Sequence, residues 1–183
     1  DKVTNTNNGT INNITNINNN KVSINVFLTE HCGNALNLTD FINGIQVNLD
    51  DLDYMHANHI ESSVKNTLVR ALTEIGINQR PIHCTDEKRN TLYVKENGEW
   101  EKDTSEHALL KSGISVIRDG HFQQLSEWKK MNDKHMINGT QKDSYLQILN
   151  KCTAKIDDSA AKRIISTVAK NTLYTGPPPP IDK

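Results

Sequence analysis

The chain has 183 residues, a length that suits one folded domain once its polar N-terminal stretch is set aside. Its 21 Lys and Arg balance 22 Asp and Glu, so there is no global positive field to hold a nucleic acid, and such a role would need a local basic patch. No apolar run is long enough to cross a bilayer, and three widely spaced cysteines without a C-x-x-C pair are typical of reduced, intracellular thiols.

Residues 1–21 form an Asn-rich segment, in which nine of the first twenty residues are Asn. Ile11, Ile14 and Ile17 recur inside it at a strict three-residue spacing. A single chain of this composition buries too little surface to order itself. Two interpretations therefore stay open: a β-structured stalk in which neighbouring copies share the isoleucines, and a linker docked on its own domain. We favour the stalk and predict that the three isoleucines mediate self-association, with a trimer as the favoured homo-oligomer.

A globular domain is predicted over residues 22–175, and its first elements mix strand and helix patterns. Val22 to Leu28 alternates apolar and polar residues, which predicts a strand. Leu38-Thr39-Asp40 predicts the start of a short helix. Apolar residues at helical spacing between His59 and Ile75 predict a long helix, ended by Gly76 in the left-handed conformation.

A β-hairpin is predicted next. Thr91 to Glu96 and Glu99 to Asp103 flank Asn97-Gly98, the dipeptide best suited to a two-residue type I′ turn. Residues 82–84 are a candidate third strand.

Helices are predicted for the rest of the domain. One extends from Ser105 to Trp128, where Gly113 and Gly120 predict a kink or a break. Two shorter helices follow, the second behind the capping candidate Asp157, and residues 176–183 form a Pro-rich tail. The predicted fold class is therefore α+β: a mostly helical domain with a β-hairpin, preceded by a short β-structured Asn-rich stalk.

Two His-Cys dipeptides, His31-Cys32 and His83-Cys84, are the candidates for a metal site or a nucleophile. Zinc needs a tetrahedral set of N or S ligands, but adjacent strand residues point to opposite faces, so ordinary core residues are the favoured interpretation. A nucleophilic Cys84 with His83 or His56 as its base lacks an identifiable third orienting residue. We predict no metal, no cofactor and no catalytic residue.

Lys88, Arg89, Lys95 and Lys102 cluster around the hairpin. Of these, Lys88, Arg89 and Lys95 are the candidate nucleic-acid contacts. A helix followed by a basic hairpin is typical of a winged-helix DNA-binding module, although the polar face of the helix over residues 59–75 is nearly neutral. Asp86, Glu99, Glu101 and Lys102 also surround the hairpin and would suit a metal-dependent nuclease only if they converged on one edge.

A specific sequence block spans Arg80-Pro81-Ile82-His83-Cys84-Thr85-Asp86-Glu87-Lys88-Arg89 and is followed by Leu92-Tyr93-Val94-Lys95 and Trp100. It resembles an uncharacterised domain of large DNA viruses and some phages, whose members carry R-P-I-H-C-T-D-x-K-R, then L-Y-I-K and a Trp. The Asn-rich run and parts of residues 25–52 extend the resemblance over most of the chain. Members often carry a zinc finger or a coiled coil before the Asn-rich stretch, and the resemblance assigns no catalytic residue.

The resemblance implies the C-terminal part of a larger virus-encoded protein, in which this domain follows a multimerising spacer. We expect a non-enzymatic interaction and assembly domain whose partner is itself, with DNA as a further candidate and no membrane. The expected location is the host cytoplasm or viral factory, with the virion as a further location. The alternatives are a winged-helix-like DNA-binding module and, after it, a metal-dependent nuclease.

Overall fold

The structure is a computed structural model that describes residues 24–132, 139 and 142–175. These residues contain helices α1 (Leu38–Gly44), α2 (Leu49–Ala57), α3 (Ile60–Glu74), α4 (Ala108–Met131), α5 (Lys142–Cys152) and α6 (Asp158–Asn171), and strands β1 (Ile82–Asp86), β2 (Thr91–Glu96) and β3 (Glu99–Lys102). The mostly helical α+β class is confirmed. The predicted stalk, with Ile11, Ile14 and Ile17, and the Pro-rich tail lie outside the described residues. No helix in the described part of the chain is long and apolar enough to cross a membrane.

The first described segment is helical, so the strand predicted over Val22 to Leu28 is wrong for the residues from 24 onward. A π-helix spans Phe27–His31. Ile24, Phe27 and Leu28 are buried, whereas Val26 is 40% exposed. The buried residues follow the i, i+3, i+4 spacing of a helix face, and the alternation that suggested a strand depended on Val26.

Helices α1 and α3 are confirmed, and α2 between them was not predicted from the sequence. A reciprocal capping box begins α2: the Asn48 side chain accepts from Asp51 N, and the Asp51 carboxylate accepts from Asn48 N. The left-handed cap predicted at Gly76 is wrong, since its φ is −59°. Helix α3 ends at Glu74, and the chain runs extended through Ile75 into a 3-10 turn at Ile77–Gln79.

The predicted hairpin and third strand are confirmed as an antiparallel sheet in the order β1-β2-β3. Asn97 and Gly98 have φ of 52° and 82°, as a type I′ turn requires. The chain after α6 adds a short parallel bridge between Leu173 and Cys84 at the free edge of β1. Leu173 therefore brings the C-terminal end of the described chain against the sheet.

The sheet separates two apolar clusters. Its inner face contributes Ile82, Cys84, Leu92 and Val94 to the main core, which the six helices complete. Its outer face carries His83, Tyr93, Lys95 and Trp100, and the helical segment that begins at residue 24 packs there in a smaller cluster. The molecule is therefore layered as N-terminal segment, sheet and helices.

Helix α4 is continuous through Gly113 and Gly120, so the break predicted there does not occur. A Cβ on Gly113 would collide with the Ile42 side chain, and one on Gly120 would lie 2.9 Å from Val47 Cγ2. These glycines allow the residues around α1 to approach the backbone of α4. The Asp157 cap is confirmed, because its side chain accepts from Ala160 N at 2.7 Å and begins α6.

Candidate functional site

The two His-Cys dipeptides meet through one residue of each. Cys32 Sγ lies 3.6 Å from His83 Nε2, whereas Cys84 faces the main core. The pair sits among aromatic rings: Phe27 meets the His83 ring edge-on at 5.0 Å between centroids, and Trp100 lies 5.6 Å away. Among the described residues, no group of three or more His, Cys, Asp or Glu is placed to hold a metal ion.

Both members of this pair are held neutral. Burial raises the pKa of the Cys32 thiol to about 11, although Lys95 opposes the rise. Burial, together with the Arg80 charge, lowers the pKa of His83 to about 4. At neutral pH the pair is therefore a thiol beside an uncharged imidazole, and not the thiolate and imidazolium that a nucleophilic cysteine needs.

The other cysteines are no better suited to nucleophilic chemistry. All three cysteines are free and buried. Burial raises the pKa of Cys84, and it raises that of Cys152 to about 11. The disfavoured pairing of Cys84 with His83 as its base does not form, because neighbouring residues of β1 face opposite sides of the sheet.

The outer face of the sheet is built largely from the block that resembles the viral domain. His83, Tyr93 and Lys95 alternate with the core residues of β1 and β2, and Trp100 lies opposite Lys95 on β3. Trp100 Nε1 donates to the Cys32 carbonyl at 3.2 Å. These side chains hold the N-terminal segment, so the spacing of the block follows from the two-residue period of a sheet covered on both faces.

Lys95 is placed differently from the prediction that it contacts nucleic acid. It is 5% exposed, and its ammonium donates to the Gly33 carbonyl at 2.6 Å and the Ala35 carbonyl at 2.9 Å. The ammonium group of Lys95 is therefore bonded inside the domain and cannot reach a phosphate. Lys88 and Arg89, by contrast, are exposed in the turn between β1 and β2.

The winged-helix interpretation does not fit the position of α3. Glu61 pairs with Arg163 of α6 at 2.6 Å, and Arg70 pairs with Asp51 at 2.8 Å. Ser63 and Thr67, on the same helix, are buried. Helix α3 packs against α2, α4 and α6, and its exposed residues, Asn66, Thr73 and Glu74, carry no positive charge, so it is poorly suited to enter a groove of DNA.

The hairpin tip is not a basic wing either. Gly98 N donates to Asn37 Oδ1 at 2.9 Å, and the Glu96 carboxylate accepts from Thr39 N at 3.1 Å. The tip therefore packs against the start of α1. It also carries Glu96 and Glu99, which would repel a phosphate backbone.

The carboxylates proposed for a nuclease do not converge. Asp86 pairs with Thr91 at one end of β2, whereas Glu99 pairs with Glu96 at the other end. Five residues of strand separate these positions, which is roughly 17 Å. Two metal ions in one catalytic site lie about 4 Å apart. Carboxylates as widely separated as Asp86 and Glu99 therefore cannot bind the same metal centre.

A cleft of about 570 Å³ opens where the sheet meets α6, at the end opposite the hairpin tip. It is lined by Arg89, Asn90, Thr91, Lys102, Asp103, Thr104, Ser105, His107, Lys162 and Ile165. We call it the basic cleft because Arg89, Lys102 and Lys162 lie on its wall. Of these three, only Arg89 was predicted as a contact. Lys102 belongs to the same predicted cluster and is brought near Arg89 by the pairing of β2 with β3, whereas Lys162 joins them through the packing of α6 on the sheet.

One histidine of the basic cleft is fixed by a carboxylate. His107 Nδ1 bonds to Asp103 Oδ2 at 2.7 Å, and the side chains are 11% and 6% exposed. His107 precedes α4 with a φ of 51°, a left-handed backbone conformation uncommon for a non-glycine residue. Its Nε2 has no bond to any described residue, so this nitrogen remains available to a ligand.

Comparison of the chain with protein-family models, curated proteins and solved structures finds no match. The resemblance to the viral domain therefore stays a prediction.

Proposed function

We propose that the domain is a non-enzymatic interaction domain that the Asn-rich segment gathers into a homo-oligomer. The observation that carries this proposal is the position of the two ends of the described chain. The rings of Phe27 and Tyr174 stack at 4.7 Å between centroids on the outer face of the sheet. The segments before residue 24 and after residue 175 therefore attach on the same side of the domain.

This placement suits assembly through residues 1–21. Copies joined by that segment would be held on the outer side of their sheets, and the helical layer would point away from the axis. On that layer Phe122 and Leu146 are 47% and 43% exposed, and Met131 is 70% exposed. Apolar side chains of this size on α4 and α5 are suitable contacts for a protein partner.

The buried ionisable groups support a role without catalysis. The cysteines are protonated thiols, and burial lowers the pKa values of His83 and His121. His121 Nδ1 donates to the Ile117 carbonyl within α4, and the Ser63 hydroxyl of α3 lies 2.8 Å from Nε2. Both ring nitrogens are therefore bonded inside the fold, and the second bond joins α3 to α4. The origin in a large DNA virus and the location in the host cytoplasm or viral factory rest on the resemblance alone.

The test is the mass of the full chain in solution, measured by light scattering for the wild type and for Ile11→Ser, Ile14→Ser, Ile17→Ser combined. We expect a trimer that becomes a monomer, with unchanged far-UV helicity, because the described helices contain none of these residues. Replacement of Thr4, Thr6 and Thr10 by Ser is the matched control in the same segment and should leave the trimer intact.

Two results would contradict the proposal: a monomeric wild type, or an oligomer that survives the triple isoleucine change. Changing Lys88 and Arg89 to Glu should leave the mass unaltered, since these residues lie at the β1–β2 turn and not on the outer face of the sheet.

A further inference from the structure

We propose that the basic cleft binds the phosphate group of a nucleotide or of a nucleic-acid backbone. This inference goes beyond assembly and does not depend on it, because the residues concerned lie in one folded chain. Nothing in the oligomer proposal requires a ligand at this position.

The charges on the wall of the basic cleft favour an anion. Lys102 is exposed and forms no ion pair with any described residue. Arg89 is 84% exposed, and its pair with Asp86 is long, at 3.8 Å. A solvent-exposed pair of this kind contributes little, so Arg89 can turn to a ligand at small cost. Its planar group can then bond a phosphate in bidentate fashion.

Lys162 keeps positive character although it is paired. Its partner Asp158 accepts from Lys162 at 2.8 Å and from Lys111 at 2.6 Å, and the two lysines lower the pKa of Asp158 to about 2. One carboxylate is thus shared by two ammonium groups. Glu106 approaches Lys111 only at 3.8 Å and is 83% exposed, so it offsets this surplus weakly.

The cleft also presents hydrogen-bond donors. Glu106 is a nearby carboxylate that acts on Lys162, but its side chain is 83% exposed, so water screens its charge. Asp103 lines the cleft but is buried and bonded to His107, which leaves His107 Nε2 as the available ring nitrogen. The hydroxyls of Thr104 and Ser105 are exposed beside it and have no bond to a described residue. Phosphate oxygens are strong acceptors, so ammonium, guanidinium and hydroxyl groups gathered in one cleft match them.

The size and composition of the cleft limit what is recognised. Its volume is within the range of pockets that hold small ligands. None of the described residues that line it is Phe, Tyr or Trp, so no ring is present to stack on a base. We therefore expect recognition of the phosphate and little preference among bases.

The test uses the full chain and isothermal titration calorimetry with two probes, inorganic pyrophosphate and oligothymidylate. Lys102→Gln combined with Lys162→Gln should weaken binding by about tenfold or more, because two charge-assisted contacts are lost. The control is Lys170→Gln, which removes one positive charge from an exposed position of α6 outside the cleft. It should change affinity by less than about twofold, as expected for a distant screened charge.

The outcomes separate the two sources of the phosphate. Binding of pyrophosphate alone, lost in the double variant, would identify a free phosphate or diphosphate group, as in a nucleotide, as the ligand class. Binding of both probes, with the same loss and with affinity that falls as salt rises, would identify the nucleic-acid backbone. Failure of both probes to bind would overturn the proposal, and so would an equal loss in Lys170→Gln, since that would show attraction to the general surface. Light scattering on the double variant should show the wild-type mass, which separates this result from the assembly test.

Discussion

Acidification should weaken the domain through His83, the histidine that faces the N-terminal segment from β1. His83 is 1% exposed, and its pKa is lowered from 6.5 to about 4, first by burial and second by the charge of Arg80. The folded state therefore keeps the imidazole neutral where the unfolded chain takes up a proton. Replacing His83→Gln removes this titration and keeps a polar side chain.

The sign and size of the effect follow from proton linkage. Between about pH 6.5 and pH 4 the unfolded state binds the proton and the folded state does not, so the free energy of unfolding falls as pH falls through this window. Above it the stabilisation is fully present, and below the folded pKa the loss is complete. A shift from 6.5 to about 4 corresponds to roughly 3 kcal/mol at about 1.36 kcal/mol per pKa unit. No reduction for solvent screening applies to so buried a group.

The measurement is urea unfolding of the wild type and of His83→Gln over that pH range. We expect the wild type to lose roughly 3 kcal/mol more than the variant between about pH 7 and pH 4. Other titrating groups, including His121, whose pKa burial also lowers, act in both proteins and cancel in the comparison. His59→Gln, at an exposed position, is the matched control and should retain the wild-type slope. Equal pH dependence of the wild type and His83→Gln would refute the reasoning.

Two further predictions concern packing, and thermal or urea unfolding measures both. Gly113→Ala should destabilise the domain by about 1–2 kcal/mol net, because the added methyl collides with Ile42 and this outweighs the gain in helix propensity. Gly44→Ala, where a Cβ meets nothing within 4 Å, should stabilise it by roughly 0.5–1 kcal/mol, and a stabilising Gly113→Ala would contradict the close approach. Lys95→Met should cost roughly 2 kcal/mol, since two carbonyls lose their buried donor, and it should speed amide exchange in the N-terminal segment. Lys88→Met should change stability by less than about 0.5 kcal/mol, and an equal loss there would contradict the anchoring role of Lys95.

The elements predicted correctly have local causes. Asn97-Gly98 determines its turn because both residues must take positive φ. Asp157 begins α6 through a bond within its own first turn. Helix α2 carried such a signal in Asn48 and Asp51, whose side chains cap each other's backbone, but their spacing was not used in the prediction. Where the cause lies within a few residues, the sequence is sufficient.

The errors have causes that lie far along the chain. From the sequence alone, Gly113 and Gly120 predict a break in the helix. In the structure they leave the room that the side chains of Ile42 and Val47 occupy against α4. Lysine is usually a surface residue, but Lys95 is buried because the segment around Gly33 covers it. No local pattern contains that information, since it depends on which segment packs on which face.

The basic cleft also depends on packing between segments that are distant in the sequence. Lys88 and Arg89 were predicted as a basic pair because they are adjacent in the sequence. The sheet itself brings Lys102 near Arg89, but Lys162, sixty residues further along the chain, joins them only because α6 docks beside the base of the sheet. The spacing of residues along the sequence therefore does not predict the contribution of α6 to this site.

The block that resembles the viral domain gains a physical meaning from the layered fold. Its alternating residues divide between the main core and the face that holds the N-terminal segment, where His83, Lys95 and Trp100 bond or pack against residues 24–35. Any oligomer built by residues 1–21 is joined to the domain through this face, since the chain passes directly from one to the other. Relative motion of copies would therefore act on those side chains before it reached the main core. The side chains of the outer face therefore fasten residues 24–35 to the sheet, and the spacing of the block follows from that contact.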